Sequence, residues 1–139
     1  MKIEKTQLKK LLSEDELSQK IVEMGKKIST DFEGQELVVI GVLKGAIIFM
    51  ADLIRTISTP LEFDFLRVSS YSGKQSTGNV NLKLDVTVDL KGKNVVIVED
   101  IVDTGNSIEF LVEHIISIRL KQKTRNLYVS SAFAFNVLY

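Results

Sequence analysis

From Val95 to Ser107 the chain reads Val-Val-Ile-Val-Glu-Asp-Ile-Val-Asp-Thr-Gly-Asn-Ser. Four apolar residues run into two adjacent carboxylates, Glu99 and Asp100. Such a pair is costly to desolvate unless it meets solvent, a metal or sugar hydroxyls. Vicinal hydroxyls donate hydrogen bonds to carboxylates, and carboxylates hold Mg²⁺ directly or through water. Asp103-Thr104-Gly105-Asn106-Ser107 follows and opens a helical pattern. Gly105 permits a tight turn and close backbone approach. The N–H groups and the dipole of the helix start favour an anion, and Thr104 and Ser107 add hydroxyl donors. A phosphate cradle beside a diol-binding acidic pair is what a 5-phosphorylated ribose requires. A plain helix cap would account for Asp103 or Thr104, but capping does not call for the paired acids.

Other phosphate motifs do not fit. No Gly-x-Gly-x-x-Gly follows a strand, and there is no Gly-Lys-Ser/Thr of a P-loop. A receiver-type phosphorylation domain would need further acids at the first strand. Gly41-Val42-Leu43-Lys44 offers none.

The elements around this run alternate between helix and strand. Ser13-Glu14-Asp15-Glu16 reads as a capping box, and Leu17, Ile21, Met24 and Ile28 recur at helical spacing. A helix is predicted over about residues 14–31, closed by Gly34. Leu37–Val42 is a continuous apolar run suited to a strand buried on both faces. Gly45–Ile57 reads as a helix with Ile47, Ile48, Met50, Ala51 and Ile54 inside, and Pro60 marks the break before an extended Leu61–Val68. Tyr71–Asn79 is a polar stretch with two glycines, read as a mobile loop. Val80–Val88 alternates like a half-buried strand. Lys91-Gly92-Lys93 turns the chain into a buried strand at Val95–Val98. Ser107–Leu120 looks helical, Leu127–Phe135 extended. The expectation is a single α/β domain over residues 1–139, with a mostly parallel central sheet flanked by helices.

The Val95–Ser107 run resembles the signature of the type I phosphoribosyltransferases. It is most similar to their hypoxanthine-guanine subgroup, with Glu-Asp, two apolar residues and then Asp-Thr-Gly. Gly41-Val42-Leu43-Lys44-Gly45 looks like that family's pyrophosphate loop, and Ser69-Ser70-Tyr71 with its polar continuation like the mobile catalytic loop. The resemblance covers about residues 3–131, and the three motifs stand in family order.

The resemblance implies roles. Glu99 and Asp100 would hold the ribose hydroxyls with Mg²⁺ nearby, as ribose and metal ligands. Asp103, Thr104, Gly105, Asn106 and Ser107 would bind the 5′-phosphate. Leu43, Lys44 and Gly45 would contact pyrophosphate, with a non-proline cis peptide before Lys44. Ser70 and Tyr71 would close over the sugar, and Asp103 would serve catalysis beside the purine N7. The implied reaction is purine salvage: phosphoribosyl pyrophosphate and hypoxanthine or guanine give IMP or GMP and pyrophosphate. The implied partners are therefore phosphoribosyl pyrophosphate and a purine base or nucleoside monophosphate. A homo-oligomer, dimer or tetramer, is expected, as in other members.

In the family a lysine that reads the purine 6-oxo group follows the strand matching Leu127–Phe133, with a stacking aromatic and an Mg²⁺-binding Asp beyond. No lysine stands at or near Ala134–Asn136, so the C-terminal part of the fold is expected to be incomplete. That departure motivates a second reading, a non-catalytic or regulatory relative that binds the sugar phosphate without recognising a purine. A third, an RNA-binding attenuator, is weakened by Asp103, by the lack of a basic stripe and by the charge balance of 18 basic and 18 acidic residues.

Bulk composition narrows the rest. At 139 residues the chain suffices for one real core, and 45% apolar content excludes a disordered chain. With no cysteine, disulfides and thiolate metal sites are excluded. One histidine, His114, cannot build a metal cluster and reads as structural. No apolar run is long enough to span a membrane, and the N-terminus lacks a signal peptide's apolar core. The expectation is a cytoplasmic protein with neither nucleic acid nor membrane as a partner.

Overall fold

The computed structural model describes residues 13–70, 80–99, 106–121 and 129–130, with the backbone alone at 70, 80, 106–108, 119–120 and 129–130. Helix α1 (Glu14–Asp31) begins with the capping box. Ser13 Oγ accepts the Glu16 N–H at 3.1 Å, and the Glu16 carboxylate accepts the Ser13 N–H at 2.6 Å. Two N–H groups without intrahelical partners are thereby satisfied. Ile21, Gly25 and Ile28 are buried, while Leu17 stays 40% exposed. Gly34, three residues beyond the helix, takes φ +71°, a conformation other residues rarely adopt.

Strand β1 (Leu37–Leu43) is buried along its length apart from Leu43. Helix α2 (Ile47–Ile54) is shorter than the sequence suggests, because Ala46 supplies no side-chain cap and residues 44–46 form a turn. Met50 and Leu53 are its buried residues, whereas Ile47 and Ile48 are 46% and 72% exposed. The chain continues through β2 (Leu61–Ser70), β3 (Val80–Leu84), β4 (Asn94–Val98), α3 (Asn106–Lys121) and β5 (Val129–Ser130). The predicted loop at 71–79 lies outside the described residues.

The sheet order is β3-β2-β1-β4-β5. β1 runs parallel to both β2 and β4, β4 runs parallel to β5, and among the described strands only β2–β3 is antiparallel. The apolar residues of β1 divide between two layers. Leu37 and Val39 pack with Ile21, Ile28, Met50 and Leu53 of α1 and α2. Val38, Ile40 and Val42 pack with Leu111 and Ile115 of α3. Each such side chain, fully buried, contributes about 1.5–3 kcal/mol of transfer free energy. A strand with no polar position therefore reads correctly as the sheet's centre.

The extended run predicted at Val80–Val88 divides in two. β3 stops at Leu84, after a register shift against β2 between Arg67 and Val68. Residues 85–90 leave the ladder, and Val86, Val88 and Leu90 turn into the α3-side layer. The N–H groups of Thr87 and Val88 go to the Asp64 side chain on β2, at 2.6 and 3.0 Å. The alternation is real, but it reports packing of a connector onto a sheet face.

Candidate functional site

β1, β2 and β4 are parallel, so their carboxyl ends share one edge of the sheet. In open α/β sheets that edge binds ligands. β1 stands in the middle. Its Leu43 pairs with Arg67 of β2, and its Gly41 pairs with Val98 of β4. Glu99 follows β4 directly and is half-buried. Ser70 ends β2, and Asn106 and Ser107 open α3. Leu43, Lys44 and Gly45, Ser70, Glu99 and the first turn of α3 thus follow three neighbouring strand ends. Asp100, Tyr71, Asp103, Thr104 and Gly105 lie outside the described residues.

The peptide bond between Leu43 and Lys44 is cis. This is the bond that the resemblance singled out. Two residues before Leu43, Gly41 lets α2 lie close on β1. A Cβ there would sit 2.2 Å from Met50 Sδ and 3.3 Å from the Phe65 ring. The turn at 44–46 therefore joins a strand and a helix that lie close together at Gly41 and Met50.

Arg67 belongs to none of the sequence motifs, yet the fold brings it to this edge. Leu66 and Val68 face the α3 layer, and Phe65 faces the α1–α2 layer. Alternation places Arg67 on the α1–α2 side, two residues beyond Phe65 and in register with Leu43. Arg67 and Lys44 are both exposed, and neither has a carboxylate partner among the described residues. Lys44 thus follows the end of β1, with Arg67 in register on the β2 side and Glu99 following β4 on the other. The only sequence signal for Arg67 was a lone charge in an extended run; its importance depends on the β1–β2 register, which the sequence does not print.

Among the described residues no three His, Cys, Asp or Glu side chains stand close enough to cage a metal. None of the described helices is long and apolar enough to cross a membrane. His114, on α3, contacts Asp85 rather than any acid of the sheet edge.

The family model for the phosphoribosyl transferase domain matches residues 7–129. The chain belongs to the phosphoribosyltransferase family. Over 104 residues, 74% of the chain, it is 44% identical to the hypoxanthine-guanine phosphoribosyltransferase of Streptococcus pneumoniae. That match covers 58% of the curated relative, so the chain spans a little over half its length. A crystal structure of a hypoxanthine-guanine phosphoribosyltransferase from Bacillus anthracis, with a HEPES molecule in its active site, superposes with a TM-score of 0.75 at 44% identity. It covers 81% of this chain and 67% of that one. The hypoxanthine phosphoribosyltransferase of Trypanosoma cruzi, in complex with its product IMP, gives 0.71 at 38% identity, over 78% of this chain and 63% of that one. The neighbours share this chain's α/β layering and mostly parallel sheet.

Proposed function

We propose that this domain catalyses transfer of the 5-phosphoribosyl group from phosphoribosyl pyrophosphate to hypoxanthine or guanine, giving IMP or GMP and pyrophosphate. One observation carries the reading: the turn at 44–46 leaves the end of the central strand, with Arg67 in register on one side and Glu99 following β4 on the other. The relatives' names and the IMP bound to the Trypanosoma cruzi enzyme support the same chemistry.

The reacting sugar needs its two ends held apart. Residues 103–107, which lead in sequence into α3, bind the 5′-phosphate through backbone N–H groups and hydroxyls. Leu43, Lys44 and Gly45 bind the diphosphate at C1, and the Arg67 guanidinium adds a second cation. Glu99 and Asp100 accept hydrogen bonds from the ribose hydroxyls. The C1–O bond to pyrophosphate breaks, the sugar gains oxocarbenium character, and the purine N9 forms the new bond. Glu99 and Asp100 stabilise the developing positive charge, a preorganised electrostatic effect. Asp103 takes up a proton at the purine N7. Ser70 and Tyr71 cover the sugar and keep water from C1.

Mg²⁺ fits the donor chemistry. It takes one or two carboxylates and completes its shell with water and phosphate oxygens. Glu99, half-buried at the sheet edge, and Asp100 beside it in sequence supply that number. Bound there, the ion would neutralise charge on the diphosphate.

A charged substrate of this kind does not cross membranes unaided, which supports a cytoplasmic setting for the activity. The exposed Ile47, Ile48 and Phe63 favour self-association into a homo-oligomer.

The test is product formation by the full chain from phosphoribosyl pyrophosphate, Mg²⁺ and each free base. IMP or GMP is the expected product. Binding of phosphoribosyl pyrophosphate without product, and with no preference for a nucleotide, would instead identify a non-catalytic relative.

A further inference from the structure

One short segment between β3 and β4 is held from two sides. On the β2 side, Asp64 Oδ2 accepts the N–H of Thr87 at 2.6 Å, the N–H of Val88 at 3.0 Å and the Thr87 hydroxyl at 3.2 Å. Its other oxygen accepts the N–H of Phe65 at 2.7 Å, which fixes the carboxylate's rotation. On the α3 side, His114 Nε2 lies 2.9 Å from Asp85 Oδ1. Phe110, one turn earlier, stacks on the imidazole at 6.2 Å with an interplanar angle of 3°. Between these contacts, Val86 and Val88 insert into the layer that holds Leu111 and Ile115.

The arrangement differs in kind from the packing around it. Apolar contact between α3 and the sheet is non-directional and tolerates sliding. Hydrogen bonds fix distance and angle. Residues 85–88 therefore add a directional link between β2 and α3. Both elements lead to the proposed site: β2 ends at Ser70 and α3 starts at Asn106.

We propose that residues 85–88 form a strap that sets the position of α3 against β2, with Asp64 and His114 as positioning residues for the sugar-phosphate site. The functional half of this inference rests on the reading under Proposed function. The two ends of a phosphorylated, diphosphorylated ribose must be met at a fixed separation. A strap away from the reacting atoms holds the helix start and the strand ends at that separation.

Two readouts test it in the full chain. The first is geometric and needs no substrate. The chain has no cysteine, so Phe63→Cys and Glu113→Cys place one spin label on β2 and one on α3. The interlabel distance distribution is expected to be narrow in the parent and in Asp64→Asn, whose amide oxygen still accepts from Thr87 and Val88. It is expected to broaden in Asp64→Ala and His114→Ala. An unchanged distribution in both alanine variants overturns the strap, whether or not the chain is active.

The second readout is kinetic, taken per folded molecule well below each variant's Tm. Asp64→Ala and His114→Ala are each expected to raise KM for phosphoribosyl pyrophosphate about tenfold, because small misplacement of binding groups is strongly felt. Asp64→Asn stays within about twofold of the parent, and the double alanine variant loses little more than the worse single one, since both act through one segment. Lower Tm with unchanged KM, or fully additive losses, overturns the positioning role. A broadened distance distribution in a chain that makes no nucleotide would sink the proposed reaction and leave the strap standing.

Discussion

Asp64 and Thr87 are 23 residues apart, yet one oxygen of the carboxylate accepts both the N–H and the hydroxyl of the threonine. Partial burial on its own would raise the Asp64 pKa. The hydrogen bonds from Thr87, Phe65 and Val88 outweigh it and hold the carboxyl below its ordinary 3.8. A carboxylate held low in the fold stabilises it above the ordinary value. That contribution disappears as pH falls through the folded value. The stability gap between the parent and Asp64→Asn is therefore expected to be constant from pH 7 to about pH 5 and to shrink below pH 4. Urea midpoints across that range measure it. A gap that widened on acidification would contradict the assignment.

Gly25 marks where α1 and α2 meet. A Cβ at this position would lie 1.9 Å from Thr56 Oγ1 and 2.9 Å from the Thr56 carbonyl carbon. The Thr56 hydroxyl cannot swing away freely, because it donates to the Leu53 carbonyl at 2.7 Å. Gly25→Ala is expected to destabilise the fold by about 1–3 kcal/mol through overpacking. Gly34→Ala provides the contrast, with φ +71° but nothing within 4 Å. Its loss comes from backbone conformation alone, about 1–2 kcal/mol. Thermal unfolding of the two variants ranks them.

The cations beside β1 carry a prediction of a different kind. Lys44→Met and Arg67→Met each remove a charge that has no carboxylate partner among the described residues, so folding stability should hardly change. Affinity for pyrophosphate should fall, by roughly tenfold or more per charge-assisted contact. The dependence of affinity on salt should weaken in the same variants. Calorimetric titration with pyrophosphate at two ionic strengths reads both effects.

Capping of α1 is a local and separable matter. Ser13→Ala removes the acceptor for the Glu16 N–H and is expected to cost about 1 kcal/mol. Phosphoribosyl pyrophosphate affinity should be untouched, because α1 supplies no residue to the proposed site. Denaturant midpoint and ligand titration on the same sample check the two halves.

How much of this could be read beforehand depended on whether a feature was local. Ser13 and Glu16 form their box from residues three apart, so the start of α1 was legible to the residue. The run at 37–43 contains no polar side chain, and only a central strand buries such a run on both faces. Val80–Val88 misled because alternation records which side chains are covered, not what the backbone bonds to. A carboxylate on another strand captured Thr87 and Val88. Arg67 went unnoticed for a related reason: its place beside Leu43 is a fact of register between two strands. The 41–45 motif, Glu99 and Asn106-Ser107 stood out by residue type. Their convergence on one edge required the strand order, with β1 between β2 and β4.

That strand order also has a consequence for the chain as it is made. β1, at residues 37–43, has its β2 partner at 61–67, but its other flank waits for 94–98. On a ribosome working from the N-terminus, the most apolar strand is thus exposed along one edge while the intervening residues emerge. An open edge of unpaired N–H and C=O groups on a hydrophobic strand is a template for other chains. The period before residues 94–98 appear is when a nascent chain of this protein most needs a chaperone.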